Sequence, residues 1–170
     1  MIALHRRAVL AGAAACAALA FANGRGRAKD MTTTDAIDFK TLSDAEWRKR
    51  LTPAQFDILR GHGTERAGSS PLDHEKRKGI FACAGCDLPL YSSDTKFDSG
   101  TGWPSFYEPL PAAVETHTDR SFFMKRTEVH CARCLGHLGH VFNDGPRPTG
   151  LRYCMNGVSL AFHPATAAAS

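Results

Sequence analysis

The amino-acid sequence predicts a mainly β, antiparallel domain led by two short helices. Three observations carry this. Two helix-capping patterns lie before Gly79. After Gly79, short apolar runs of strand length alternate with turns rich in Gly, Pro and Asn. No βαβ alternation accompanies those runs, so their pairing is expected to be antiparallel.

Taken in order, the chain starts unlike the rest. His5-Arg6-Arg7 precedes a mildly apolar, Ala-rich run that ends at Ala20-Phe21-Ala22. A basic segment, an apolar segment and an A-x-A-like end make residues 1–22 an export signal, with cleavage expected after Ala22. The paired arginines favour a twin-arginine-like route and a bacterial periplasmic destination. An ordinary signal peptide or an uncleaved membrane anchor is the alternative. Lipidation of Cys16 is disfavoured by Ala13. Residues 23–40 are polar and aperiodic, which reads as a flexible linker. The functional domain is expected over residues 41–165, followed by a disordered tail at 166–170. No other segment has ~18 consecutive apolar residues, so no membrane span is expected in the mature chain.

Ser43 with Glu46 forms a capping box before Trp47 and Leu51. Thr52 followed by Pro53 places an N-cap and a first-turn proline, and Gly61 or Gly63 is expected to end this second helix. Residues 61–77 read as loop. Residues 80–82 and 88–91 are strand-like and flank a Cys-x-x-Cys turn. Residues 96–106 read as a Gly- and Ser-rich loop. Residues 114–118 and 122–129, around Asp119-Arg120-Ser121, predict a hairpin. Residues 138–142, 151–154 and 158–162 are further strands, separated by Asp144-Gly145-Pro146 and Asn156-Gly157.

Across the 170 residues, hydrophobic content is 43% and charged content 22%, ordinary for a globular domain. The formal charge of +4 owes much to Arg6, Arg7, Arg25 and Arg27, so it points to no nucleic-acid partner.

Cys83-x-x-Cys86 and Cys131-x-x-Cys134 have the spacing of two zinc knuckles. Together they supply four thiolates, enough to close one structural Zn2+ site with no open position for a substrate. Gly85 and Gly136 are expected to supply turn freedom. Redox dithiols, disulfides and bound iron are the alternatives. Once the leader takes Cys16 and the knuckles take four, Cys154 is the one unassigned thiol. Arg152 is two residues away, on the same face of a strand, and a nearby cation favours the thiolate. Asn156 follows as a neutral donor. Just upstream, His137, His140 and Asp144 gather an imidazole proton donor and a carboxylate to orient it. Trp103 sits in a glycine-rich stretch; its ring is either a core residue or a surface that packs against a methyl group on sulfur.

Ser99-Gly100-x-Gly102-Trp103-Pro104-Ser105-Phe106, Gly136-His137-Leu138-Gly139-His140-Val141-Phe142-x-Asp144-Gly145-Pro146 and Arg152-Tyr153-Cys154-x-Asn156 resemble the signature of B-type methionine sulfoxide reductases. The resemblance covers roughly residues 43–162. It implies two antiparallel sheets in a sandwich or open barrel, and reduction of methionine-R-sulfoxide, protein-bound or free. It implies Cys154 as the catalytic thiol, with His137, His140, Asp144, Arg152 and Asn156 around it. Trp103, and Phe142 with it, would hold the substrate methyl group. Cys83, Cys86, Cys131 and Cys134 match zinc ligands of many members. Thr101 stands where many members carry a resolving cysteine, so regeneration of a Cys154 sulfenic acid is expected to use a thioredoxin-like protein or a small thiol. A monomer is expected. A cysteine hydrolase and a zinc-ribbon binding module are the competing readings, the first weakened by the lack of any hydrolase signature.

Overall fold

The computed structural model describes residues 37–120 and 125–166. The expected signal at 1–22, most of the expected linker, Phe122-Phe123-Met124 of the expected hairpin, and residues 167–170 lie outside the described residues.

Both helix starts form as the sequence predicts. In α1 (Asp44–Arg50) the Ser43 side chain accepts from the Glu46 amide while the Glu46 carboxylate accepts from the Ser43 amide. Thr52 and Gln55 repeat the arrangement at α2 (Pro53–Leu59), with Pro53 at the first turn. The second helix stops at Leu59, just short of Gly61. A Cβ on either Gly61 or Gly63 would press on the Asp57 carbonyl, so the chain needs glycine to leave the helix this tightly.

Nine strands follow among the described residues. They are β1 (Gly79–Cys83), β2 (Pro89–Ser92), β3 (Lys96–Phe97), β4 (Ser105–Phe106), β5 (Val114–Asp119), β6 (Arg126–Cys131), β7 (His137–Phe142), β8 (Arg152–Met155) and β9 (Leu160–Pro164). Two sheets result, of order β2-β1-β9 and β3-β4-β8-β7-β6-β5, and every pairing is antiparallel. The stretch 96–106, expected to be loop throughout, has a two-residue strand at each end. They extend the larger sheet by one short pair at its edge. Residues 158–162 begin with a 3₁₀ turn (Gly157–Ser159) before β9, because the Glu65 carboxylate takes the Gly157 and Val158 amides at 2.6 and 3.0 Å.

The core lies between the sheets. Phe81, Leu90 and Tyr91 of the small sheet meet Phe106, Val129, Leu138 and Met155 of the large one, all fully buried. Tyr91 stacks on Phe106 at 4.3 Å between ring centroids, and its hydroxyl donates to the Met155 sulfur at 3.2 Å. Burying aromatics of this size supplies most of the packing energy, at roughly 2 to 3 kcal/mol per large apolar side chain. Trp47, Phe56 and Leu59 of the two helices close one end. The other face of the large sheet carries a line of polar side chains.

Candidate active site

In an antiparallel ladder, directly opposed residues project from the same face with Cβ atoms about 5 Å apart. The register of the large sheet therefore sets one row. Ser105 of β4 is opposite Cys154 of β8, Cys154 opposite His140 of β7, His140 opposite Glu128 of β6, and Glu128 opposite His117 of β5. Two positions further along, Arg152 is opposite Phe142, and Arg126 opposite Asp119. The polar residues of the His137–Asp144 segment and of the Cys154 segment thus share a face through pairing of β7 with β8. Gly139 is what allows the close fit, since a side chain there would collide with the Cys154 carbonyl oxygen and Met155.

Cys154 is half-buried on the wall of a cavity of about 140 Å³ lined by Thr64, Trp103, Arg126, Gly139, His140, Phe142 and Asn156. Burial pushes its thiol above the ordinary value; the Thr101 hydroxyl (3.9 Å from Sγ), Arg152 and Ser105 pull in the opposite direction without overcoming it. Arg152 thus favours the thiolate, as the sequence leads one to expect, but burial outweighs it. Its guanidinium is gripped by Asp144 at 2.8 and 2.7 Å and lies 4.5 Å above the Phe142 ring, so much of its charge is already answered. Asp144 for its part orients Arg152 and bonds to no histidine.

Two other carboxylates take the histidine-orienting role. Asp119 accepts from His140 Nε2 at 2.9 Å and from Arg126 at 2.7 Å. Glu128, 5% exposed, pairs with His137 Nδ1 and with His62 Nδ1 (2.7 Å). Burial alone would raise Glu128, but the hydrogen bonds from His62 and His137 bring it to about 2, so it is a carboxylate. Desolvation lowers His137 to about 4, against the pull of Glu128. His137 is therefore neutral near pH 7, holds its proton toward Glu128, and leaves Nε2 buried with no hydrogen-bond partner among the described residues. His137 does not line the Cys154 cavity, whereas His140 does.

Trp103 is placed by the segment 61–77, which carries no regular strand and is expected to be loop. Its Nε1–H donates to the Glu65 carbonyl at 3.2 Å, while the Glu65 amide donates to Asn156 Oδ1 at 3.0 Å. The Asn156 amide group in turn donates to the Leu138 carbonyl at 3.1 Å. Asn156 is thus a buried tie between β7, the end of β8 and the Trp103 wall. Gly68 N donates to Gly102 O at 2.7 Å, which pins the glycine-rich loop to the same segment. Gly102 has φ +88 and faces Gly68 and Ala67 too closely for a side chain, so glycine is required there.

Cys83, Cys86, Cys131 and Cys134 converge, all buried, with ligand atoms within 4.8 Å of one another. Cys83 lies 3.6 Å from Cys134 and Cys86 3.5 Å from Cys131, Sγ to Sγ. These separations are far from a disulfide bond of about 2.05 Å. They fit a metal tetrahedron with 2.3 Å bonds to sulfur, whose edges are about 3.8 Å. The cluster ties β1 of the small sheet to the β6–β7 turn of the large one. Arg60 and Arg133 donate to the Cys134 and Cys86 carbonyls at 3.0 and 2.9 Å. The left-handed residue of each knuckle is Asp87 (φ +58) or Leu135 (φ +57), not the glycine. Gly136 is present for space: a Cβ would meet Leu59 at 2.9 Å and the Cys134 sulfur at 3.3 Å.

Comparison with known proteins finds relatives of this chain. The SelR domain model matches residues 51–164. A peptide methionine sulfoxide reductase MsrB of Agrobacterium fabrum is 59% identical over 123 residues, covering 72% of this chain and 91% of that protein. One from Methanosarcina mazei is 58% identical over 121 residues, covering 71% and 86%. The chloroplastic peptide methionine sulfoxide reductase B1 of Arabidopsis thaliana is 56% identical over 124 residues, covering 72% and 61%.

Proposed function

This chain belongs to the SelR-domain family of peptide methionine sulfoxide reductases, and from that premise we propose the course by which its residues reduce the R epimer of methionine sulfoxide. It is an oxidoreductase acting on methionine sulfoxide. The observation that carries the finer reading is the pairing of Cys154 with His140 across β7 and β8, on the wall of one small cavity.

The cavity of about 140 Å³ takes the tip of a side chain and leaves the substrate backbone outside. Protein-bound methionine sulfoxide suits that shape, and the free amino acid also fits. The methyl group packs on Trp103 and Phe142, the sulfoxide oxygen turns toward His140, and this pair of contacts selects the epimer. Cys154 sulfur attacks the substrate sulfur. Its proton passes by way of His140 to the oxygen, which ends on Cys154. The balance is thiol plus sulfoxide giving sulfenic acid plus thioether, with Cys154 oxidised by two electrons and the substrate sulfur reduced by two. Asp119 holds the His140 Nε2 proton, leaving Nδ1 to exchange with substrate.

Regeneration uses two equivalents of an external thiol. The first displaces the hydroxyl as water and forms a mixed disulfide with Cys154; the second releases Cys154 as a thiol. A thioredoxin-like protein or a small thiol supplies them, since Thr101 offers no sulfur and the other described cysteines are gathered in the knuckles. Cys83, Cys86, Cys131 and Cys134 would hold Zn2+ as a structural ion that ties the two sheets together, and four protein ligands would leave it no catalytic role. We place the enzyme outside the cytoplasm on the strength of Arg6-Arg7 and the Ala-rich run after it; fractionation of cells expressing the full chain checks this. The function itself is tested by a stereospecific assay of R and S sulfoxides with and without Cys154→Ser.

A further inference from the structure

Glu128 is unusual in being surrounded by imidazoles. Its carboxylate reaches His62 at 2.7 Å, His117 at 2.8 Å, His130 at 3.1 Å and also His137. The reaction above requires one of these at most. Two groups of three have their ligand atoms all within 4.8 Å of one another: His62, Glu128 and His137, and His117, Glu128 and His130.

The first group has what a metal site needs. Two imidazole nitrogens and a carboxylate oxygen are a donor set that binds Zn2+ and its neighbours in the first transition row. Both imidazoles present Nδ1, and both Nδ1 atoms converge on the same oxygen, Glu128 Oε1. Bonds of 2.0–2.1 Å place ligand atoms roughly 3.3 Å apart in a tetrahedron, so His62 Nδ1 and Glu128 Oε1, 2.7 Å apart, move apart by roughly 0.6 Å to admit an ion. His62 has 57% of its side chain exposed and gives an entrance, while Glu128 and His137 form a buried floor. The three line a cavity of about 340 Å³ with Thr64, Asp119, Arg126 and His140, which leaves room for a water as further ligand.

We propose that His62, Glu128 and His137 form a second, surface-accessible site for a divalent transition ion of the Zn2+ type, and that filling it inhibits the reductase. The ion takes the Nδ1 lone pair and the His137 proton moves to Nε2, reversing its tautomer. Glu128 turns from acceptor to ligand. A dication then sits beside His140, whose ring centroid is 5.5 Å from that of His137. Asp119 lines the same cavity, so an ion there competes for the carboxylate that holds His140 opposite Cys154. The inhibitory half rests on the reductase reading; the binding half does not.

The test separates the two. Zinc-loaded Cys154→Ser protein, which lacks the reactive thiol as a competing ligand, is titrated calorimetrically with Zn2+ and with Ni2+. The expected result is one ion bound beyond the tetracysteine equivalent. Its affinity falls at least tenfold in His62→Ala and is kept in His117→Ala. Absence of that ion, or equal binding after His62→Ala, overturns the proposal. So does loss in His117→Ala alone, which moves the ion to the other trio. In parallel, the activity of proteins with intact Cys154 is measured as the ratio with and without added Zn2+. A ratio well below one, restored by mild chelation that leaves the structural zinc in place and raised toward one by His62→Ala, supports inhibition. A ratio of one with the ion bound overturns it. A protein inactive even without added ion contradicts the reductase reading instead, and the titration still decides the site.

Discussion

Arg152 and Asp144 are joined by two parallel hydrogen bonds of 2.8 and 2.7 Å, two residues along the strand from the Cys154 thiol. This pair controls how much positive charge Cys154 feels. Burial raises the thiol and Arg152 lowers it, so removal of either partner shifts the titration in opposite directions. In free enzyme, alkylation of Cys154 by iodoacetamide is expected to rise with pH through a midpoint above the ordinary ~8.5 of a cysteine. Arg152→Ala moves that midpoint up, and Asp144→Asn, by leaving the guanidinium unanswered, moves it down. Mass-spectrometric rates across pH check both signs.

His140 and His137 make different predictions. His140→Asn removes the imidazole opposite Cys154 and is expected to lower kcat by ~10²- to 10⁴-fold, the usual range for a positioned acid or base. His137→Asn acts from outside the cavity and lowers it much less. Single-turnover kinetics on each variant measure this; equal losses contradict the assignment.

Trp103 separates packing from placement. Trp103→Ala removes the wall for the substrate methyl group, and kcat/KM is expected to fall ~10- to 200-fold, as for lost apolar contacts of this size. Trp103→Phe keeps a ring but loses the hydrogen bond to the Glu65 carbonyl, at about 1 kcal/mol. Steady-state kinetics with a sulfoxide-containing peptide should place Trp103→Phe between wild type and Trp103→Ala.

Metal removal should act on the fold before it acts on chemistry. Cys131→Ser is expected to purify without zinc and to unfold at a markedly lower temperature than the wild type, since the four-cysteine cluster joins the two sheets. Cys154→Ser keeps both the metal content and the Tm. Elemental analysis and thermal unfolding report the two quantities separately.

Much of the fold was legible from local chemistry. Ser43 with Glu46, and Thr52 with Pro53, announce their helices because capping is decided within four residues. The Cys-x-x-Cys pairs and the Cys154 motif were equally plain. The roles of Glu128, Asp119 and Glu65 were not. Each acts on a partner fixed by strand pairing or loop docking, as far as 93 residues away for Glu65 and Val158. Asp144 was drawn toward the histidines by sequence proximity, yet the register turns it to Arg152. Gly136 looked like a turn residue and proved to be a space residue. In each case the missing information was which strand lies beside which.

The most direct measurement is a paired assay of the mature protein on the R and S epimers of a peptide methionine sulfoxide, with Cys154→Ser alongside. Turnover confined to the R epimer and abolished by that one replacement, with zinc content and Tm unchanged, is the expected result. Undiminished reduction of the R epimer by Cys154→Ser would contradict the account.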